Sequence, residues 1–237
     1  MDWRVQLSGD NSDLEELSKS FNSDNLKIYK DRDNYILSSS DFDGITEADI
    51  VLKKSEQILN FINGGSIVVQ KLTKPMQVGS INSIGDTGER NHYIFAECAH
   101  AWVVAARPTV LINGKVQETF SYKDLPNWIL LAEQNKNVAD VLNHLKTGSN
   151  DITTLYKVYE IIAEDVGGEK TIGRNGWASR NKFKLFTHTA NSPDAIGDKA
   201  RHGVQKNQPP KTTMSLNEAK SFILHLVKCW LDSKITH

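Results

Sequence analysis

Cysteine is nearly missing from this sequence: Cys98 and Cys229 are the only two in 237 residues. Thiols so far apart are no disulfide framework, and without a CxxC pair they offer no zinc knuckle. Both read as reduced, buried small hydrophobes. Long apolar runs are missing too. No stretch approaches the roughly 18 consecutive apolar residues of a membrane-spanning helix. The first residues, Met1-Asp2-Trp3-Arg4-Val5-Gln6, lack the charged-then-apolar plan of a signal peptide, so a cytoplasmic chain with no membrane partner is expected. Neither sign of charge is in excess, since 28 Lys and Arg stand against 29 Asp and Glu. A surface that traps nucleic acid everywhere is thereby excluded, and any polyanion contact is confined to a local basic patch.

Common enzyme signatures are absent as well. There is no GxGxxG, GxxxxGK[ST], HExxH or GxSxG, which removes the usual dinucleotide, phosphate-loop, zinc-protease and serine-hydrolase chemistries. No cofactor or metal is implied. Asp41-Phe42-Asp43-Gly44 opens like a calcium loop but lacks the acidic or amide residue at the fifth position and the Glu at the twelfth. It reads as a turn that caps the next helix. His225 and Cys229, four apart on one helical face, make no metal site by themselves.

What is present is the composition of a globular chain, 39% hydrophobic and 24% charged, long enough for two domains. The fold class expected is α+β: a mixed layer with antiparallel strands over residues 1–120, then an all-helical bundle over 121–237. Trp3 to Leu7 alternates as a strand. A helix capped by Ser12 or Asp13 follows, with Leu14, Leu17 and Phe21 at helical spacing. Leu26 to Tyr29 and Tyr35 to Leu37 flank the turn Asp31-Arg32-Asp33-Asn34. A helix from Ile45 to Ile62 is expected to stop at Asn63-Gly64-Gly65. Strands at Met76 to Ile84 and His92 to Glu97 flank Gly85-Asp86-Thr87-Gly88, and Val110-Leu111-Ile112 pairs with Val116 across Asn113-Gly114.

Beyond Tyr122 the period becomes helical throughout. Helices are expected at Trp128 to Gln134, Val138 to Leu145 and Leu155 to Val166, the last ended by Gly167-Gly168. Arg174-Asn175-Gly176-Trp177 reads as a loop. Ser179 to Ala190 buries Phe183, Phe186 and Ala190 beneath Arg180, Lys182 and Lys184, and the polar stretch Asn191-Ser192-Pro193 leads into Ala195 to His202. Ser215-Leu216-Asn217-Glu218 is a capping box, and Leu216, Ala219, Phe222, Ile223, Leu226, Val227, Trp230 and Leu231 give the final helix one apolar face.

The densest polar cluster runs from Thr187 to Gly203. A general base there, His202 or His188, beside a cation, Arg201 or Arg180, is what phosphodiester cleavage needs: one group moves the proton and the other steadies charge on phosphate. The structural alternative has Asp198 capping or pairing with Arg201, and His202 packed on Trp177 or Trp230. The run Ile196-Gly197-Asp198-Lys199-Ala200-Arg201-His202-Gly203, followed by a loop and Met214-Ser215-Leu216-Asn217-Glu218-Ala219, resembles the closing segment of HEPN-type helical domains. That resemblance covers at most residues 125–237. It implies a four- or five-helix bundle, commonly dimeric, from bacterial defence, toxin and stress systems, whose catalytic members cut RNA without metal using an Arg and a His a few residues apart. Here Arg201 and His202 are adjacent, and Arg180 and His188 are spaced more widely than the usual motif.

Three functions stay open. One is a metal-independent ribonuclease or RNA-binding module, with His202 carrying the proton, Arg201 clamping phosphate, and Lys182, Lys184, Lys199, Lys206 and Lys211 on the backbone. Another is a non-enzymatic interaction module, docking a protein partner through the N-terminal half and forming a homodimer through Phe222, Leu226 and Trp230. The third is a small-molecule enzyme with a pocket between the halves.

Overall fold

In the computed structural model the described residues are 1–70, 72, 74–85, 87–95, 111–112, 115–116, 122–148, 151–196 and 211–235. They form two compact units, Met1–Leu130 and Leu131–His237. The expected α+β mixture is present: a five-stranded antiparallel sheet with helices in the first unit, and helices in the second.

The first unit runs β1 (Asp2–Ser8), α1 (Asn11–Ser20), β2 (Leu26–Asp31), β3 (Asn34–Ser39), α2 (Ala48–Val68), β4 (Gln77–Ile84) and β5 (Arg90–Tyr93). The sheet order β2-β3-β1-β4-β5 places β1 between β3 and β4. Two helical crossovers and this order make a split βαβ arrangement with one added edge strand. Alternation sets the register. Val5 lies between Leu37 and Ile81, and all three are fully buried, as are Leu17 of α1 and Val51 and Ile62 of α2. Each such side chain contributes about 1.5–3 kcal/mol of apolar burial. Of the hairpin expected later in the chain, β6 (Leu111–Ile112) pairs antiparallel with β7 (Lys115–Val116), and Val110, Asn113 and Gly114 lie outside the described residues. A 3-10 turn at Tyr122–Asp124 then leads into α3 (Leu125–Gln134).

Two helix boundaries differ from expectation. Asp10 caps α1, not Ser12 or Asp13, because its carboxylate accepts from the backbone N–H of both. In α2 the helix begins at Ala48, since the Ile45 carbonyl is engaged by the Trp3 indole N–H at 2.8 Å. It also continues through Asn63-Gly64-Gly65 to Val68. A Cβ on Gly65 would stand 3.3 Å from Leu125 Cγ, so this glycine serves close packing of α2 on α3 and does not stop the helix. Asp41 lies in a 3-10 turn, Ser40–Phe42, separate from α2.

The second unit holds α4 (Lys136–Leu145), α5 (Ile152–Asp165), α6 (Glu169–Arg174), α7 (Arg180–Ala190), α8 (Pro193–Ile196) and α9 (Leu216–Ile235). Positive φ at Gly167 and Gly168 turns the chain after α5, as the Gly-Gly pair implies. At the centre is an aromatic cluster in which Tyr156, Tyr159, Phe183, Phe186 and Phe222 stand 5.5–6.0 Å apart. Phe222 is 2% exposed and Leu226 and Trp230 are fully buried, so these residues form the unit's own core. Cys229 is only half-buried, and Leu216 is exposed at 38%, so neither belongs to the buried stripe of α9. Among the described residues no helix is long and apolar enough to cross a membrane.

Candidate functional site

Helix α7 carries three cations within five residues, Arg180, Lys182 and Lys184. Ser179 caps it, its side chain accepting from the Lys182 backbone N–H, and Phe183, Phe186 and Ala190 fix its inner face. Periodicity then decides what faces outward. Arg180, Lys184 and His188, at i, i+4 and i+8, share the opposite face, and all three are exposed. No Asp or Glu occurs anywhere in Arg180–Ala190. Among the described residues, Arg180, Lys182 and Lys184 form no ion pair. Lys182 lies on the flank, its ammonium 5.7 Å from the Phe222 ring centroid.

Beside Lys182 a cleft of about 390 Å³ opens between α7 and the start of α9, lined by Lys182, Leu185, Met214, Asn217, Glu218 and Ser221. The capping box shapes one wall. Glu218 Oε2 accepts from the Ser215 hydroxyl at 2.7 Å and its backbone N–H at 2.8 Å, and these bonds hold the Glu218 carboxyl below its usual range. The floor is anchored by Thr189, whose hydroxyl accepts from the Met214 backbone N–H at 3.0 Å in a buried site. Thr189→Val keeps the shape but orphans that donor. A loss of about 1–2 kcal/mol in urea denaturation is expected, and an unchanged midpoint would refute the anchor.

Of the residues singled out from sequence, Arg180, Lys182, Lys184 and His188 come together on α7. Lys211 is exposed before α9. Asp198, Lys199, Arg201, His202 and Lys206 lie outside the described residues, as does Cys98. Eight residues of helix separate Arg180 from His188 by about 12 Å, wider than one catalytic pair. Trp230 directs its indole N–H to Asp165 at 2.8 Å. His225 Nε2 and Cys229 Sγ are 3.6 Å apart, and burial, aided by Asp232, pushes the thiol up. Among the described residues no three or more His, Cys, Asp or Glu side chains are grouped to hold a metal. The cleft residues Leu185, Asn217 and Ser221 carried no sequence signal beyond the capping box beside them.

No family model matches this chain, and no solved structure matches it. An aminomethyltransferase of Saccharopolyspora erythraea is 30% identical over 124 residues. The match covers 50% of this chain and 32% of that protein's length.

Proposed function

We propose that the helical unit is an HEPN-like module that binds RNA, with α7 as its contact surface. The acid-free, outward face of Arg180, Lys184 and His188 is the observation that carries this. A chain of near-neutral net charge that gathers on one helix cations with no ion pair among the described residues has the local electrostatic footprint a polyanion requires. Cations at i and i+4 advance about 6 Å along the axis, so they can engage neighbouring phosphates of a flexible single strand. Each neutralised phosphate releases counterions, which makes the affinity fall with salt. The partial likeness to an aminomethyltransferase leaves most of that enzyme's length unmatched.

Fluorescence anisotropy with labelled single-stranded RNA between about 50 and 200 mM salt tests the proposal. The double variant Arg180→Ala/Lys184→Ala is expected to bind about tenfold more weakly. Its log–log salt slope should be shallower by about 1.4, two phosphate contacts at roughly 0.7 each. Equal affinity and slope in the variant would remove α7 as the surface. The same samples held in excess chelator test the cleavage expected of Arg201 and His202.

A further inference from the structure

A track of cations accounts for phosphate contacts but leaves the cleft between α7 and α9 without a role. Its floor is apolar, made by Leu185 and the buried Met214, and its rim is polar. At about 390 Å³ it is near the lower end of small-ligand sites, roughly 300–1,000 Å³, the scale of one flat heterocycle with its sugar.

The rim groups are available. Glu218 engages Ser215 through Oε2, and Oε1 accepts no hydrogen bond among the described residues. The Asn217 amide and the Ser221 hydroxyl make no hydrogen bond among the described residues. An ionised carboxylate only accepts, an amide both accepts and donates, and a hydroxyl adapts to either role. Continuity with the cation track comes through Lys182, which lines the cleft and sits between Arg180 and Lys184 in sequence.

We propose that this cleft is a base-reading subsite that takes one unstacked guanine of a single-stranded RNA. It rests on the RNA reading above. Unstacked bases are recognised by hydrogen bonds to their Watson–Crick edges and by contact of the ring with an apolar or planar surface. Guanine's edge carries two adjacent donors and one acceptor. Glu218 Oε1 and the Asn217 carbonyl oxygen supply the acceptors, and the Asn217 –NH₂ or Ser221 hydroxyl supplies the donor. Uracil, with one donor between two acceptors, meets these carboxylate and carbonyl groups unfavourably.

The test compares a short labelled oligouridine with the same oligomer carrying one central guanosine, using the full chain and two variants at exposed rim positions. Asn217→Ala/Ser221→Ala removes the polar reading, and Ser221→Trp fills the cleft; circular dichroism melting confirms folding of both. The unaltered chain should bind the guanosine oligomer roughly tenfold more tightly. Both variants should lose that preference while keeping the affinity for oligouridine and its salt slope. No preference in the unaltered chain, or a preference that survives in both variants, overturns the subsite and leaves the phosphate track standing. Failure to bind either oligomer overturns the RNA reading and the subsite with it.

Discussion

Asp165→Ala is expected to lower the stability of the helical unit by about 3 kcal/mol, because one carboxylate at the end of α5 joins three helices. Oδ2 accepts from the Lys234 ammonium at 2.7 Å and the Trp230 indole at 2.8 Å, both on α9. Oδ1 accepts from the Asn137 amide of α4 at 2.8 Å. Side-chain exposures of 13% for Asp165 and 21% for Lys234 make this ion pair mostly buried. Removing the anion therefore leaves an ammonium and two N–H groups with little access to water. Among the described residues, the Lys234 ammonium, 5.0 Å from the Trp230 ring centroid, then retains only its cation–π contact. In a unit of this size such a loss lowers the melting temperature by roughly 10 °C or more.

The effect carries a pH signature. Burial alone would raise the Asp165 carboxyl, but hydrogen bonds from Lys234, Asn137 and Trp230 together outweigh it and hold the group below its ordinary value. A carboxyl depressed in the folded state stabilises that state above its unfolded pKa, about 3.9, and loses the contribution as pH falls through the folded value. The gap between the native chain and Asp165→Ala should be full at pH 7 and shrink below about pH 4. Urea denaturation across that range checks it; a gap of constant size would mean that packing, not charge, holds the three helices.

How much was legible in the sequence depended on whether a signal was local. Helix α9 was read nearly to its ends because its start carries a reciprocal Ser215–Glu218 cap and its apolar residues repeat at helical spacing. The outward cations of α7 followed from the inward Phe183 and Phe186. By contrast α6 went unread, since Glu169 to Arg174 buries only Ile172 and offers almost no amphipathic stripe. The consecutive polar residues Asp10-Asn11-Ser12-Asp13 made the α1 cap ambiguous, and only the bonds to Asp10 resolve it. The cleft could not be read at all. Leu185 and Ser221 belong to helices separated by a long stretch of chain, and only tertiary packing brings them to one rim. Asp165 was hidden for the same reason: as the last residue of a helix it looks like a solvated charge until Trp230 and Lys234 return to it.

Asn63→Ala is expected to lower the stability of the first unit by about 3 kcal/mol, and the reason is a backbone function performed by a side chain. Asn63 is 4% exposed and Met76 is 2% exposed. The Asn63 amide donates to the Met76 carbonyl at 3.0 Å and accepts from the Met76 N–H at 2.9 Å. One side chain thus imitates a paired strand at the residue just before β4, from which Gln77 continues into register with Ser8 of β1. Alanine leaves a buried donor and a buried acceptor unmet, each worth about 1–3 kcal/mol. Aspartate distinguishes hydrogen bonding from shape. Its ionised form accepts from the Met76 N–H but faces the Met76 carbonyl with no proton to give, so Asn63→Asp should be about as unstable as the alanine variant at pH 7. Below its carboxyl pKa the protonated side chain regains a donor. Folding then favours the protonated form, the folded pKa is raised, and stability recovers as pH falls, opposite in direction to Asp165. Denaturation of both variants at neutral and acidic pH reads this out. A loss under 1 kcal/mol for Asn63→Ala, or an Asn63→Asp variant that gains nothing in acid, would mean that the Met76 backbone is satisfied by other means.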